Sequence, residues 1–240
     1  MEKEQSEENE SCNTCLSMLP EGCIAEIFAF TSPPDICRFS LVSTSLRSAA
    51  DSDSVWAKFL PFDYPSIIAK SPTPIPDFRS LKDVYVYLAD HPLLIDEGRK
   101  ISSLDKWTGK KCYFLGARDL NIVWSDTPDA WEWTSVPESR FPEVAQLKLV
   151  WWLQIWGTIR AGNTAYFVYK LEDDSYGFDA RNVEVSVGIS GVESANVRIA
   201  FLNPDHPNDC IELRMEDVKT GCHAKGGLIV EGFEIRPTIA

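Results

Sequence analysis

The apolar residues of this chain change period once, near Cys112. A change of period commits the two halves to different secondary structure. Upstream, Cys23, Ile24, Ile27 and Phe28 recur at helical spacing as one broad stripe. Downstream, Val183, Val185, Val187 and Ile189 alternate with polar or small residues. So do Ile211, Leu213 and Met215, and then Leu228, Val230, Phe233 and Ile235 around an irregularity at Gly232. Alternation of this kind, broken by Gly, Pro, Asn and Asp clusters, predicts an antiparallel β-sandwich. The expected class is therefore α+β, a small helical unit followed by the sandwich. No internal repeat is visible, which argues against a solenoid or propeller.

Local signals place the elements. Pro20 suits the first turn of a helix, where its missing N–H costs nothing, and Glu21 suits the positive end of the dipole. Ser32 ahead of Pro33 and Pro34 predicts the cap of a second helix. A third is expected over Ser45 to Ala50, and Ser54 is read as the cap of a fourth carrying Val55, Trp56 and Phe59. Prolines at 61, 65, 72, 74 and 76 predict a break in regular structure. Ser80 to Asp90 reads as a further helix, with Leu81, Val84, Tyr85 and Leu88 on one side. Lys106 to Lys111, with Gly109 inside it, is a turn. The longest strand candidate runs from Leu147 to Arg160. Its core face reads Leu147, Leu149, Trp151, Leu153, Ile155, Gly157 and Ile159, and its other face carries Trp152 and Trp156 among polar groups.

Composition narrows the function. With 240 residues, 44% of them hydrophobic, the chain has room for two units. Its net charge of −13 disfavours nucleic acid or an anionic membrane as partner, because phosphate binding needs clustered Lys and Arg. Glu2, Glu4, Glu7, Glu8 and Glu10 face only Lys3, so the start reads as a solvated, disordered tail with the wrong sign for a signal peptide. No apolar stretch approaches the roughly 18 residues that a membrane span requires. Seven cysteines without a dense framework fit a reducing compartment, cytoplasmic and/or nuclear.

Catalytic signals are thin. His91, His206 and His223 are the only histidines, and none sits in a metal or triad spacing. No nucleophile-elbow or phosphate-cradling motif is present. Glu172, Asp173 and Asp174 read as a solvated corner. Cys12 and Cys15 have knuckle spacing, but Cys222 and His223 are too remote in sequence to complete a zinc site, so no metal or cofactor is expected. The chain is expected not to be an enzyme.

Residues 17–60 are too few to be stable alone, since domains so small usually need a partner or staples. Leu19, Pro20, Ile24, Ile27 and Val42 either pack onto the β domain or are completed by another protein. The Leu19-Pro20 start, the Ile24-Ala-Glu-Ile27 stretch, the Leu41-Val-Ser43 turn and the late Trp56 resemble an F-box along its whole length. Leu41 to Trp56 is similar, more specifically, to plant F-box proteins with a phloem protein two (Nictaba-like lectin) domain. Further landmarks are Gly109 to Leu120, Ile122 to Trp124, Trp131 to Trp133, Ser139 to Val144 and Phe233 to Pro237.

The resemblance implies a disordered acidic tail (1–16), an F-box (17–60), a Pro-rich and helical linker (61–108) and a jelly-roll-like lectin domain (109–240). It implies a substrate receptor of an SCF-type ubiquitin ligase that binds a Skp-type adaptor, and through it a cullin. The adaptor-binding set would be Leu19, Pro20, Ile24, Ile27, Phe28, Val42 and Trp56. The lectin-like half would capture a glycoprotein or protein target, with N-acetylglucosamine oligomers or N-glycan cores as the glycans implied. The alternative is a stand-alone carbohydrate-binding lectin without a ligase role.

Six of the eight tryptophans fall between Trp124 and Trp156. Trp124, Asp126, Trp131 and Trp133 are the carbohydrate-binding candidates; the same rings would serve equally as sandwich core. Where relatives commonly carry an acid and two bases on the outer face of one strand, this chain has Gln154, Trp156 and Thr158. That more apolar surface suits a protein target as well as a glycan.

Overall fold

Serine hydroxyls open several of the helices. The computed structural model describes residues 16–159, 164–178, 184–189, 211–217 and 223–237. The acidic tail, the Cys12–Cys15 pair, Val183, Arg160, His206 and Cys222 lie outside the described residues. Helix α1 (Glu21–Phe28) follows Pro20 directly. Helix α2 (Pro33–Phe39) is capped by Ser32, whose Oγ accepts from the Asp35 N–H, and α3 (Thr44–Ala50) is capped in the same way by Ser43. Helix α4 (Asp53–Phe59) has Ser52 at its cap position, two residues before the expected Ser54, whose hydroxyl pairs with that of Ser52 at 2.9 Å. The proline-rich stretch is not wholly irregular: α5 (Tyr64–Ala69) forms there because Pro65 falls in the first turn, where no N–H is needed. Helix α6 (Leu81–Asp90), capped by Ser80, buries Val84, Tyr85 and Leu88 as the spacing predicts.

One apolar cluster joins these helices. Ile24, Phe28, Ile36, Leu46, Val55 and Trp56 pack with Val84, Tyr85 and Leu88 of α6 and with Leu93, Ile95 and Leu104 of the first strands. Trp56 lies at its centre, its ring 5.1 Å from Tyr85 and its Nε1–H donated to the Ala50 carbonyl at 2.7 Å. The helical unit thus takes its core from α6 and a hairpin as well as from its own residues, which answers the stability deficit of so short a segment.

The hairpin shows that strand structure begins inside the stretch read as linker. Strands β1 (Leu93–Ile95) and β2 (Lys100–Leu104) pair with each other, and β2 pairs with β3 (Lys111–Gly116), all antiparallel. The β2–β3 turn is built on Asp105, whose carboxylate accepts from the N–H groups of Trp107 and Thr108. Gly109 closes it at φ +71°, and a Cβ there would lie 2.8 Å from the Phe59 carbonyl of α4. The turn therefore seats against the helices at backbone distance.

Further strands are β4 (Asn121–Ile122), β5 (Trp131–Thr134), β6 (Val144–Leu147), β7 (Leu153–Ile159), β8 (Thr164–Tyr176), β9 (Glu184–Ile189), β10 (Ile211–Asp217) and β11 (Gly226–Arg236). One sheet runs β1-β2-β3-β11-β6-β5, with β8 on the other edge of β11; the second runs β4-β7-β10-β9. Leu115, Trp131, Leu147, Val230 and Phe233 from the first meet Ile122, Leu153, Ile155, Leu213 and Met215 from the second in a shared core. The result is the expected α+β arrangement with a two-layered antiparallel β half. The irregularity expected at Gly232 is a register shift between Val230 and Gly232 in the β11–β8 ladder.

The Leu147–Arg160 run is not a single strand. The chain leaves the first sheet after Leu147 and joins the second at Leu153. Between them the N–H groups of Lys148 and Leu149 turn onto the Ala130 carbonyl, and Val150 exchanges both backbone bonds with Lys225. Leu153, Ile155, Gly157 and Ile159 keep the predicted inward parity, but Leu149 and Trp151 are exposed. A strand that changes sheets must twist through a break, and only within that break do the side chains lose the alternation.

Candidate functional sites

Two surfaces collect the residues singled out from the sequence. On the helical unit, Ile24 is 1% exposed, and Phe28 and Trp56 are likewise core. These three support a surface from beneath and do not present themselves to a partner. The stripe read as one face divides: Ile24, Ala25 and Phe28 point inward, while Cys23 and Ile27 are exposed. Leu19, Pro20, Ile27 and Val42 remain outward, Val42 being 70% exposed. They are joined by Met18, Phe30, Phe39 and Leu41, the last 77% exposed. Sequence reasoning missed Phe30 and Leu41, although an apolar residue in a turn between helices was a readable signal.

Scaffold contacts hold this face in shape. Phe28 stacks on Phe39 at 5.4 Å between ring centroids, locking α1 to α2. The Ser32 hydroxyl donates to Asp35 at 2.7 Å, and Arg38 pairs with the same carboxylate at 2.6 Å. Those two bonds hold the Asp35 carboxyl below the usual carboxylate range. Ser43 then caps α3, so the Leu41–Val42 turn projects between two fixed helix ends.

The second surface lies on the β half, where loops 123–130 and 148–152 meet. Trp124 is 51% exposed and sits at φ +66°, a left-handed conformation that bulky residues rarely adopt. Its ring centroid is 5.9 Å from that of Trp152, with the planes 52° apart. Trp151 and Trp152 are both exposed, and so is Asp126. Trp131 is only 2% exposed, its Nε1–H donated to the Val123 carbonyl at 3.0 Å. Trp133 is half-buried, donates to the Ser125 carbonyl at 3.3 Å, and carries the Arg118 guanidinium 3.7 Å above its ring. The structure thus keeps Trp124 and Asp126 as surface groups and assigns Trp131 to the core. It adds Trp151 and Trp152, which lie in the break between β6 and β7, where strand parity gave no signal. Trp156 is half-buried on the outer face of β7, opposite Arg214 and Asn121 in register.

Among the described residues no cluster of His, Cys, Asp or Glu could hold a metal ion. What both surfaces offer is apolar area in a fixed shape, which is the chemistry of binding.

Comparison with known proteins finds two family models along the chain. A family model described as F-box domain matches residues 16–58, and one described as Phloem protein 2 matches residues 110–237. The putative F-box protein PP2-B12 of Arabidopsis thaliana is 40% identical over 247 residues, covering 91% of this chain and 96% of its own length. The F-box protein PP2-B10 of the same plant is 36% identical over 256 residues, covering 91% and 92%. The Arabidopsis thaliana F-box protein VBF is 44% identical over 179 residues, covering 72% of this chain and 63% of its own.

Proposed function

The chain belongs to the family of F-box proteins that carry a phloem protein 2 domain, and we propose on that premise that it is a substrate-recognition subunit of an SCF-type ubiquitin ligase. An F-box implies a Skp-type adaptor as partner. The observation that carries the reading is the outward apolar set Leu19, Ile27, Leu41 and Val42, which the chain's own sheets leave uncovered. Each aliphatic side chain fully buried at an interface contributes about 1.5–3 kcal/mol, so this set is large enough to drive association after its costs.

The β half holds the target. Its exposed tryptophans suit a glycan, whose C–H faces stack on flat rings while its hydroxyls reach flanking carboxylates such as Asp126. They suit an apolar protein surface equally well. A target held next to a charged ubiquitin carrier gains rate through proximity and orientation, so the receptor needs no nucleophile of its own. Work of this kind belongs to the cytoplasm or nucleus.

Co-purification with a Skp-type adaptor tests the proposal. Wild type is retained, and Leu41→Asp with Val42→Asp is not, although both proteins melt alike. Failure of wild type to be retained, or equal retention of the variant, rejects the ligase role in favour of a free-standing lectin.

A further inference from the structure

Strand β8 is 13 residues long, and β11 pairs with it along one side. Among the described residues no strand pairs with its other side. An edge of this kind presents a row of backbone N–H and C=O groups that another extended chain can complete. The usual protections are thin here: no proline interrupts Thr164–Tyr176, and Lys170 is its single lysine. The side chains along the edge differ by face. Ala165, Phe167, Tyr169 and Leu171 stand opposite Ile235, Phe233, Val230 and Leu228, four core residues of β11. They therefore belong to the inner face of the sandwich. Cover over this row runs out along the strand: Phe167 is half-buried, whereas Tyr169 and Leu171 are 53% and 41% exposed. Tyr169 is nonetheless held in place. Its ring stacks on Phe167 at 5.4 Å, and Phe167 packs on Phe233 at 5.0 Å. Beyond Leu171 the edge turns acidic. Asp173 and Asp174 follow Glu172, are exposed, and form no ion pair among the described residues.

We propose that the open edge of β8 takes up an extended segment of the target protein as an added strand, apolar on one face and basic on the other. This rests on reading the β half as the part that holds the target, and names the chemistry of that target. Backbone pairing supplies affinity in such a complex, and alternate side chains supply selection. Inward residues of the added strand lie beside Tyr169 and Leu171, so apolar ones extend the core row by one strand. Outward residues lie along Lys170, Glu172 and Asp174, where acids outnumber the base, and Asp173 adds a third acid at the same end. Lys or Arg suits that row, while Asp or Glu directly opposite is destabilising. The net charge of −13 favours encounter with a basic segment in the same sense.

Calorimetry of the full-length chain with a capped heptapeptide of alternating Lys and Val tests the proposal. The peptide binds, and hydrogen exchange slows across residues 165–176. Its fully N-methylated form, which has no backbone N–H to donate, and the form with Glu in place of Lys each bind roughly tenfold more weakly or not at all. Asp173→Lys with Asp174→Lys inverts the charge preference, so that the Glu–Val peptide binds roughly tenfold better than the Lys–Val one. Loss of folding cannot produce that inversion. No uptake of the Lys–Val peptide, undiminished uptake of its N-methylated form, or an unaltered preference in the variant overturns the proposal. So does a wild-type dimer that the peptide fails to dissociate, since a second copy then occupies the edge. Retention of a Skp-type adaptor is read on the same proteins. Its absence with peptide uptake intact rejects the ligase role and supports the edge, whereas the reverse outcome rejects the edge and spares the ligase role.

Discussion

Leu41 and Val42 are 77% and 70% exposed, whereas Ile24 in the same helical unit is 1% exposed. The sequence motif groups Val42 with Ile24, but the structure gives them opposite surroundings. Replacing Leu41 and Val42 together by Ala removes five methyl or methylene groups, each worth about 0.8 kcal/mol when buried. Scaled by their exposure in the free chain, the loss at an adaptor interface is about 3 kcal/mol, or roughly 100-fold in Kd. The unfolding free energy should move by no more than about 0.5 kcal/mol, as for surface sites generally. Ile24→Ala reverses the pattern, costing about 2–5 kcal/mol of stability through the cavity it leaves. Calorimetric titration with purified Skp-type adaptor, paired with urea unfolding of each variant, separates the two effects. If Leu41→Ala with Val42→Ala unfolds as easily as Ile24→Ala, or binds the adaptor as tightly as wild type, the division of this face into partner-facing and core residues is wrong.

Trp56→Phe leaves the Ala50 carbonyl without its indole donor and should cost about 1–3 kcal/mol in urea unfolding, with adaptor affinity unchanged because the ring is buried. Gly109→Ala places a Cβ 2.8 Å from the Phe59 carbonyl in a left-handed backbone; a loss of at least about 1 kcal/mol is expected, with hydrogen exchange rising across the β2–β3 turn. Burial, and after it the Asp105 carboxylate, pushes the Cys112 thiol up to about 11 from its ordinary 9.0. The unfolded chain therefore sheds this proton first, so the stability from the neutral thiol is whole below about pH 9 and lost as pH climbs to about 11. Iodoacetamide at pH 8 should accordingly label Cys23 and Cys37, which are exposed, well before Cys112.

Periodicity and caps were legible because they are local. Ser32, Ser43 and Ser80 each bond an N–H three residues on, and Leu153, Ile155, Gly157 and Ile159 face inward because a strand alternates whatever surrounds it. The halves of the chain and their order follow from such signals. Long-range placement did not. Ile24 and Val42 are both apolar residues of one small helical unit, yet only packing against α6 and the first hairpin decides that the former is enclosed and the latter is not. Trp124 and Trp131 are tryptophans seven residues apart, and the ladder of β5 with β6 sends the second ring into the core while the first stays out on the loop. The contact between Trp124 and Trp152 joins positions far apart in the chain through a sheet change that no local pattern announces. Hydrophobicity alone favours burying every one of these side chains; which of them find room depends on the geometry of elements that meet only when the chain has folded.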